Sequence, residues 1–148
     1  MTWSRSSTEL EAQYRTAAVG PVPRGCWAGE FLDWVDSDGA RRPSVRVLDT
    51  LLFRSVRFGL DFDRQVWWFI GPNLRAGRFD LTPGPSRWRE TDTLRLTYTT
   101  SRLPGPLRNY LYDEVKPLDD RRCLGLGGVD RETGEGDHFF FSLDRMPL

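Results

Sequence analysis

The sequence predicts an all-β fold, an antiparallel barrel of about eight strands with an N-terminal helix and a short second helix. From Gly25 onward, short apolar or alternating runs are separated by clusters of Gly, Pro, Asp and Asn. These clusters recur at intervals of roughly 8–15 residues, which is typical of a barrel or sandwich. Antiparallel closure would also leave no exposed edge strand. The 148 residues, 39% of them hydrophobic, are enough for one such domain.

The N-terminal segment predicts a helix over residues 6–17. Ser6 and Glu9 form a capping-box pattern at its start. Apolar residues at helical spacing follow, at Leu10, Tyr14 and Ala17. The Gly20-Pro21-Val22-Pro23 sequence then ends the helix. We therefore divide the chain into a helix with its lead-in, 1–20, and a single barrel domain, 21–148. The sequence leaves open whether the helix plugs the barrel or packs outside it.

Eight runs after Gly25 are predicted as strands. They are Cys26–Val35, Val56–Phe62, Val66–Ile70, Leu74–Leu81, Thr93–Thr99, Tyr110–Val115, Cys123–Val129 and His138–Asp144. Clusters such as Gly71-Pro72-Asn73 and Pro83-Gly84-Pro85 are predicted as turns or loops between them. The second helix is predicted at Ser44–Ser55, where leucines and valines repeat at spacings of three and four after Pro43.

Charge and motif content exclude several functional classes. The 21 basic residues balance the 21 acidic ones, so the charge expected of a nucleic-acid binder is absent. Neither a membrane-spanning apolar run nor a signal peptide is evident, which favours a cytoplasmic protein with Cys26 and Cys123 as reduced thiols. His138 is the sole histidine, which excludes a site of two or three histidines. Nucleotide-binding, hydrolase and zincin motifs are missing, so we expect neither a metal nor a cofactor.

The two ends of the predicted barrel carry a recognisable pattern. Gly25-Cys26-Trp27-Ala28-Gly29 opens the first strand, and Arg145 closes the last strand after Phe139-Phe140-Phe141-Ser142-Leu143-Asp144. First and last strands of an antiparallel barrel are neighbours, so Arg145 could cover Trp27 in a cation–π stack of about 1–2 kcal/mol. Both residues would then have a structural role.

This pattern resembles the signature of the calycin superfamily, G-x-W on the first strand and Arg on the last. Gly25–Gly29 also matches the motif of the GxWxG-domain family, and the stretch from Tyr112-Asp113-Glu114 to Arg145 is similar to the uncharacterised domain that accompanies it. The resemblance implies a lipocalin-like barrel and no settled function.

Strand alternation assigns side chains to the barrel interior. With Trp27 inward, Phe31 is inward too, and Phe139 and Phe141 share the inward face of the last strand with Arg145. His138 then faces outward, and we expect it at the surface or rim. Trp67 and Trp68 are adjacent, so one lines the interior, either as core or as a flat wall for an apolar ligand. The sequence does not decide which one.

The candidate catalytic residues are Asp113, Tyr98 and Glu114. Leu96 and Tyr98 share the apolar face of their strand, where Tyr98 is either a core phenol or a hydrogen-bond donor to a ligand. Asp113 alternates with Tyr112 and Glu114, so the apolar parity places its carboxylate inside the barrel. Burial would raise the pKa of Asp113 unless donors hold its ionised form, and a carboxyl with a raised pKa could act as a general acid or base. The alternative is that Asp113 or Glu114 pairs with an arginine.

Three functions remain open. The first is a cofactor-free enzyme, a cyclase or isomerase of bacterial secondary metabolism, acting on a hydrophobic small molecule inside the barrel. The second is a non-catalytic carrier or sensor of such a ligand, including a haem protein that would depend on His138. The third is a barrel with a packed interior that serves as an interaction module. The sequence leaves the oligomeric state open, a homodimer included.

Overall fold

The structure, a computed structural model, describes residues 3–4, 6–35, 57–98, 112–128 and 138–147. These residues form one helix and nine strands. They are α1 (Ser7–Thr16), β1 (Cys26–Trp34), β2 (Phe58–Asp61), β3 (Val66–Phe69), β4 (Arg75–Arg78), β5 (Asp80–Pro85), β6 (Asp92–Thr97), β7 (Tyr112–Pro117), β8 (Arg122–Gly128) and β9 (His138–Arg145). The predicted all-β class is confirmed, and the second helix at Ser44–Ser55 lies outside the described residues.

All nine strands belong to one antiparallel sheet, in the order β4-β3-β2-β1-β9-β8-β7-β6-β5. The pairing of β1 with β9 joins strands from the two ends of the barrel domain, with Trp27 opposite Arg145 and Phe31 opposite Phe141. The two edge strands, β4 and β5, follow each other in the chain with Phe79 between them. The sheet therefore curls into a nearly closed barrel whose last seam is bridged by the chain itself.

The region around Phe79 differs from the prediction. The run Leu74–Leu81 was expected to be one strand, but it divides into β4 and the start of β5. The expected turn Pro83-Gly84-Pro85 is wrong, since these residues belong to β5 and pair with β6. Proline lacks a backbone N–H, and an edge strand tolerates it because the side without a neighbour needs no donor.

Helix α1 flanks the barrel. The Ser6 hydroxyl accepts from the Glu9 backbone N–H at 3.4 Å, while the Glu9 carboxylate accepts from the Ser4 hydroxyl at 2.6 Å. The buried side of the helix is formed by Leu10 and Tyr14. They pack on outward-facing residues of the sheet together with Trp88, in a cluster that includes Leu32, Val35, Leu124, Leu126 and Phe140.

A buried cation fixes the end of the helix. Lys116, the chain's sole lysine, faces outward from β7 and is fully buried. Its ammonium donates to the carbonyl oxygens of Tyr14 at 2.5 Å and Ala17 at 2.7 Å, and to the Thr91 hydroxyl at 2.5 Å. Carbonyls of the last helical turn have no partner within the helix, so the lysine satisfies them and complements the helix dipole.

The barrel interior is filled mainly by aromatic and aliphatic side chains. Its buried members are Trp27, Phe31, Phe58, Leu60, Phe62, Trp67, Phe79, Leu96, Tyr98, Val115, Cys123, Phe139, Phe141 and Leu143. Glycine makes room for the rings: a Cβ at Gly125 would lie 2.2 Å from two ring atoms of Phe141. The inward rings of Phe139 and Phe141 are thus accommodated because β8 presents glycine opposite each of them.

Candidate functional site

A chain of hydrogen bonds crosses the apolar interior. The Trp67 indole N–H, from β3, donates to the Tyr98 hydroxyl at 2.7 Å. The Tyr98 hydroxyl, just beyond β6, in turn donates to the Asp113 carboxylate of β7. The structure thus brings together Tyr98 and Asp113, two of the residues that the sequence singled out. Both lie at an interior that is otherwise lined mainly by apolar side chains.

The environment keeps Tyr98 protonated. Burial raises the pKa of its phenol well above the ordinary value, and the negative charge of Asp113 and the hydrogen bond to it add to this effect. The side chain is 4% exposed. A neutral phenol has one proton, and here that proton points at Asp113. Tyr98 therefore orients the carboxylate, and it differs from the expected ligand donor because its O–H is already engaged.

The position of Asp113 follows from the register of four neighbouring strands. Asp113 lies opposite Gly127 of β8, Gly127 lies opposite Phe139 of β9, and Phe139 lies opposite Trp34 of β1. A Cβ at Gly127 would lie 3.0 Å from Asp113 Oδ1. Glycine at this position therefore lets the partly buried carboxylate lie close to the inner wall of β8.

Aromatic rings form the wall beside this carboxylate. Phe31 stacks on Phe139 with ring centroids 5.6 Å apart, and Trp34 meets both rings edge-on at 5.9 and 5.6 Å. From its sequence pattern alone, Trp34 is expected to be a loop or rim aromatic, and it is not among the predicted site residues. A bulge in β1 shifts the register so that Trp34 lies opposite Phe139. The alternation of residues along one strand does not predict such a shift.

The two adjacent tryptophans lie on opposite faces of the sheet. Trp67 is inward and contacts Phe141 at 5.8 Å and Phe58 at 6.1 Å between ring centroids. Trp68 is outward, where a Cβ at Gly59 would meet its ring at 2.3 Å. The ligand-wall role is therefore open to Trp67, Phe31, Leu96, Phe139 and Phe141, and Trp68 lies outside the interior.

Glu114 is separated from the other two candidate catalytic residues by the sheet. It faces outward from β7 beneath α1, where it is fully buried. Its oxygens accept from the Tyr14 hydroxyl at 2.5 Å, the Ser86 hydroxyl at 2.6 Å and the Arg87 backbone N–H at 2.7 Å. Burial, with the adjacent Glu114 charge, raises the pKa of Tyr14 well above its ordinary value. This arrangement holds α1 and the segment around Ser86 on the barrel.

The expectation of a surface or rim position for His138 is wrong. Its parity is outward, but the side chain is 1% exposed. The Nε2 atom is hydrogen-bonded to the Tyr112 hydroxyl, and the ring lies 5.8 Å from the Trp88 ring. The Trp88 segment covers this part of the outer face and buries the histidine. A haem in the interior could not use His138 as its axial ligand, because the side chain points to the other side of the sheet.

Trp27 and Arg145 are opposite each other on β1 and β9. Trp27 is buried, and its indole N–H donates to the Arg24 carbonyl oxygen at 2.9 Å. Arg145 is exposed, and both residues line a pocket of about 370 Å³. Cation–π contacts within the described part of the chain involve other pairs, such as Arg89 over Trp88 at 4.0 Å. β1 and β9 therefore pair at these two residues as predicted, but without the predicted cation–π stack of Arg145 on Trp27.

Comparisons with known proteins show one shared fold and nothing about function. No family model matches the chain. No curated protein matches it either. The crystal structure of a protein from Thermomonospora curvata is similar, with a TM-score of 0.55 over 96% of this chain and 88% of that chain, at 18% sequence identity. At this identity the likeness shows the shared fold alone.

Two further observations concern metals and membranes. The described residues contain no grouping of three or more His, Cys, Asp or Glu side chains able to hold a metal ion. Within the same residues, no helix is both long and apolar enough to cross a bilayer.

Proposed function

We propose that the protein binds a hydrophobic small molecule inside the barrel and isomerises or cyclises it without a cofactor. The observation that carries the proposal is the Asp113 carboxylate, held by the Tyr98 hydroxyl within an otherwise apolar, aromatic interior. A packed core gains little from an ionisable group, whereas acid–base chemistry requires one at a fixed position. The lipocalin-like family assignment, supported by the Gly25–Gly29 motif, is part of the same proposal.

The chemistry assigned to Asp113 is a proton transfer within one molecule. The carboxylate takes a proton from a carbon next to a carbonyl group of the substrate and returns it to another atom of the same substrate. Atoms and charges balance without an added reactant, so the product has the mass of the substrate. The rings of Phe31 and Phe139 would hold the substrate in a reactive shape. Tyr98 is a positioning residue, since it keeps its proton and donates its O–H hydrogen bond to Asp113.

The second candidate is a carrier that binds the same class of ligand without chemistry. One observation favours it: Asp113 already accepts a hydrogen bond from Tyr98, so it can anchor a polar group of a ligand without moving a proton. Both candidates use the same interior and the same ligand class. They differ in whether the bound molecule is altered.

Binding is tested with a neutral fluorescent probe, N-phenyl-1-naphthylamine. We expect saturable fluorescence enhancement and energy transfer from tryptophan, both weakened at least about tenfold by Phe139→Ala because the stacked wall is lost. Phe69→Ala is the control, since Phe69 is partly buried against the same core and its ring stacks on Trp67 at 6.5 Å between centroids, away from the Phe31–Phe139 stack. Absence of saturable binding, or equal losses in both variants, would contradict a ligand site at this wall.

Catalysis is tested by incubating the protein with a small-molecule extract of its native host and following the products by mass spectrometry. We expect a compound whose chromatographic retention changes while its mass does not. Asp113→Asn should slow this conversion at least about tenfold while the probe still binds. A compound that binds but is recovered unchanged supports the carrier. Unchanged conversion by Asp113→Asn would refute the role of this carboxylate.

A further inference from the structure

A second pocket lies on the outer face of β5, β6 and β7. It has a volume of about 290 Å³, near the lower end for ligand pockets, and it is lined by Thr82, Arg87, Arg95, Thr97 and Tyr112. Tyr112 and Asp113 are consecutive in β7 and point to opposite sides of the sheet. The pocket is therefore separated from the barrel interior by the sheet, and it plays no part in the function proposed above.

Arg95 is the residue that makes this pocket unusual. Its Nε atom is buried and has no hydrogen-bond partner among the described residues. The guanidinium lies against the edge strand, where a Cβ at Gly84 would be 3.3 Å from Nη2. Arginine stays charged, so a buried N–H without an acceptor is costly. An anion in the pocket would offset part of that cost through its negative charge.

The carboxylate directly opposite Arg95 does not supply the missing acceptor. Glu114 lies opposite Arg95 in the register of β6 and β7. Its oxygens are engaged by Tyr14, Ser86 and the Arg87 backbone N–H, and no ion pair joins it to Arg95 in the described part of the chain. The pocket therefore combines two guanidinium groups and two threonine hydroxyls, all of which can donate hydrogen bonds.

We propose that this pocket binds the carboxylate or phosphate group of a small organic anion. Arg95 donates from its terminal nitrogens, whose forked geometry suits both kinds of oxyanion. Thr82 and Thr97 add hydroxyl donors, and Arg87 adds positive charge at the entrance. The Tyr112 ring forms an apolar wall for the remainder of the ligand. The volume limits the ligand to a small molecule.

The test is a calorimetric titration of the full chain with two probes, inorganic phosphate and benzoate, at constant ionic strength. We expect saturable binding of at least one probe, and the stronger one identifies the type of oxyanion. Arg95→Gln should weaken binding at least about tenfold, because it removes the charge and the fork. Arg78→Gln makes the same charge change at an exposed position on β4 and should alter affinity less than about twofold.

A second, more conservative variant distinguishes loss of binding from loss of folding. Thr97→Val keeps the shape of the side chain and removes one hydroxyl, so it should weaken binding about threefold with an unchanged unfolding temperature. Failure of both probes to bind the wild type would overturn the proposal. So would equal affinity for Arg95→Gln and the wild type, or equal losses for Arg95→Gln and Arg78→Gln. None of these outcomes affects the interior site, whose probe is neutral.

Discussion

The Tyr98 hydroxyl links two side chains, and the coupling between them can be measured. We consider the variants Tyr98→Phe, Trp67→Phe and the double variant. Tyr98→Phe removes one oxygen and keeps the ring in place. The Trp67 indole N–H, now 2.7 Å from that oxygen, would then face apolar neighbours without an acceptor. Trp67 is 6% exposed, so water does not replace the lost partner.

The size of the effect follows from these contacts. A buried donor without a partner costs about 1–3 kcal/mol. The lost hydrogen bond to Asp113 adds less than its usual value, because that carboxylate is only partly buried and can be hydrated. We therefore expect Tyr98→Phe to lower the free energy of unfolding by about 3 kcal/mol. Trp67→Phe lowers it through a cavity, also by about 3 kcal/mol.

The double variant isolates the hydrogen bond. Once the indole is gone, removal of the hydroxyl no longer leaves a donor without a partner, so the double variant should be more stable than the sum of single effects predicts. The expected coupling is about 1–2 kcal/mol. Urea unfolding monitored by circular dichroism measures it. Additive effects, within about 0.5 kcal/mol, would refute the role assigned to the Tyr98 hydroxyl.

Three further predictions concern stability. Gly125→Ala should lower the free energy of unfolding in urea by about 3 kcal/mol, because its Cβ would lie 2.2 Å from the Phe141 ring. The control Gly71→Ala has no atom within 4 Å of its Cβ, so it should change the free energy of unfolding by less than about 0.5 kcal/mol. Lys116→Met should cost about 3 kcal/mol, seen as a lower thermal midpoint, because it leaves the last carbonyls of α1 unsatisfied; an unchanged midpoint would contradict this role. The raised pKa of the Tyr14 and Tyr98 phenols stabilises the folded state fully below pH 10.0, the ordinary pKa of a free phenol. This contribution is lost as the pH rises from there toward the raised pKa of the folded protein. Ultraviolet titration should show these phenols ionising only as the protein unfolds, and ionisation of all four tyrosines near pH 10.0 in the folded protein would contradict the burial.

Much of the barrel could be predicted because strand alternation is a local property. The pairing of the first and last strands followed from closure, and the faces of Phe139 and Phe141 followed from their spacing. The edge strand β5 was not foreseen, because Pro83-Gly84-Pro85 carries a strong turn signal. The signal is overridden by pairing with β6, which a local pattern does not contain.

The candidate site was harder to predict, because alternation gives the face of a residue and not what covers that face. Alternation predicted that Asp113 faces inward and Glu114 outward, as they do, but it did not show that Glu114 is used to hold α1 on the barrel. Glu114 and His138 face outward and are nonetheless buried, since α1 and the Trp88 segment pack over them. The capping box and the apolar residues at helical spacing predicted the helix itself. Its position on the barrel, however, depends on contacts between Tyr14 and residues far along the chain.

The pairing of β1 with β9 has a consequence for how the chain acquires its structure. The other strand pairs join consecutive strands, whereas Glu30 and Ser142, which face each other across β1 and β9, are 112 residues apart. During synthesis, β1 can pair with β2 but must await β9 for its other neighbour. Its free backbone edge is exposed to other nascent chains throughout that interval. Because this ladder has the largest sequence separation of the strand pairs, we expect its completion to limit how fast the barrel closes.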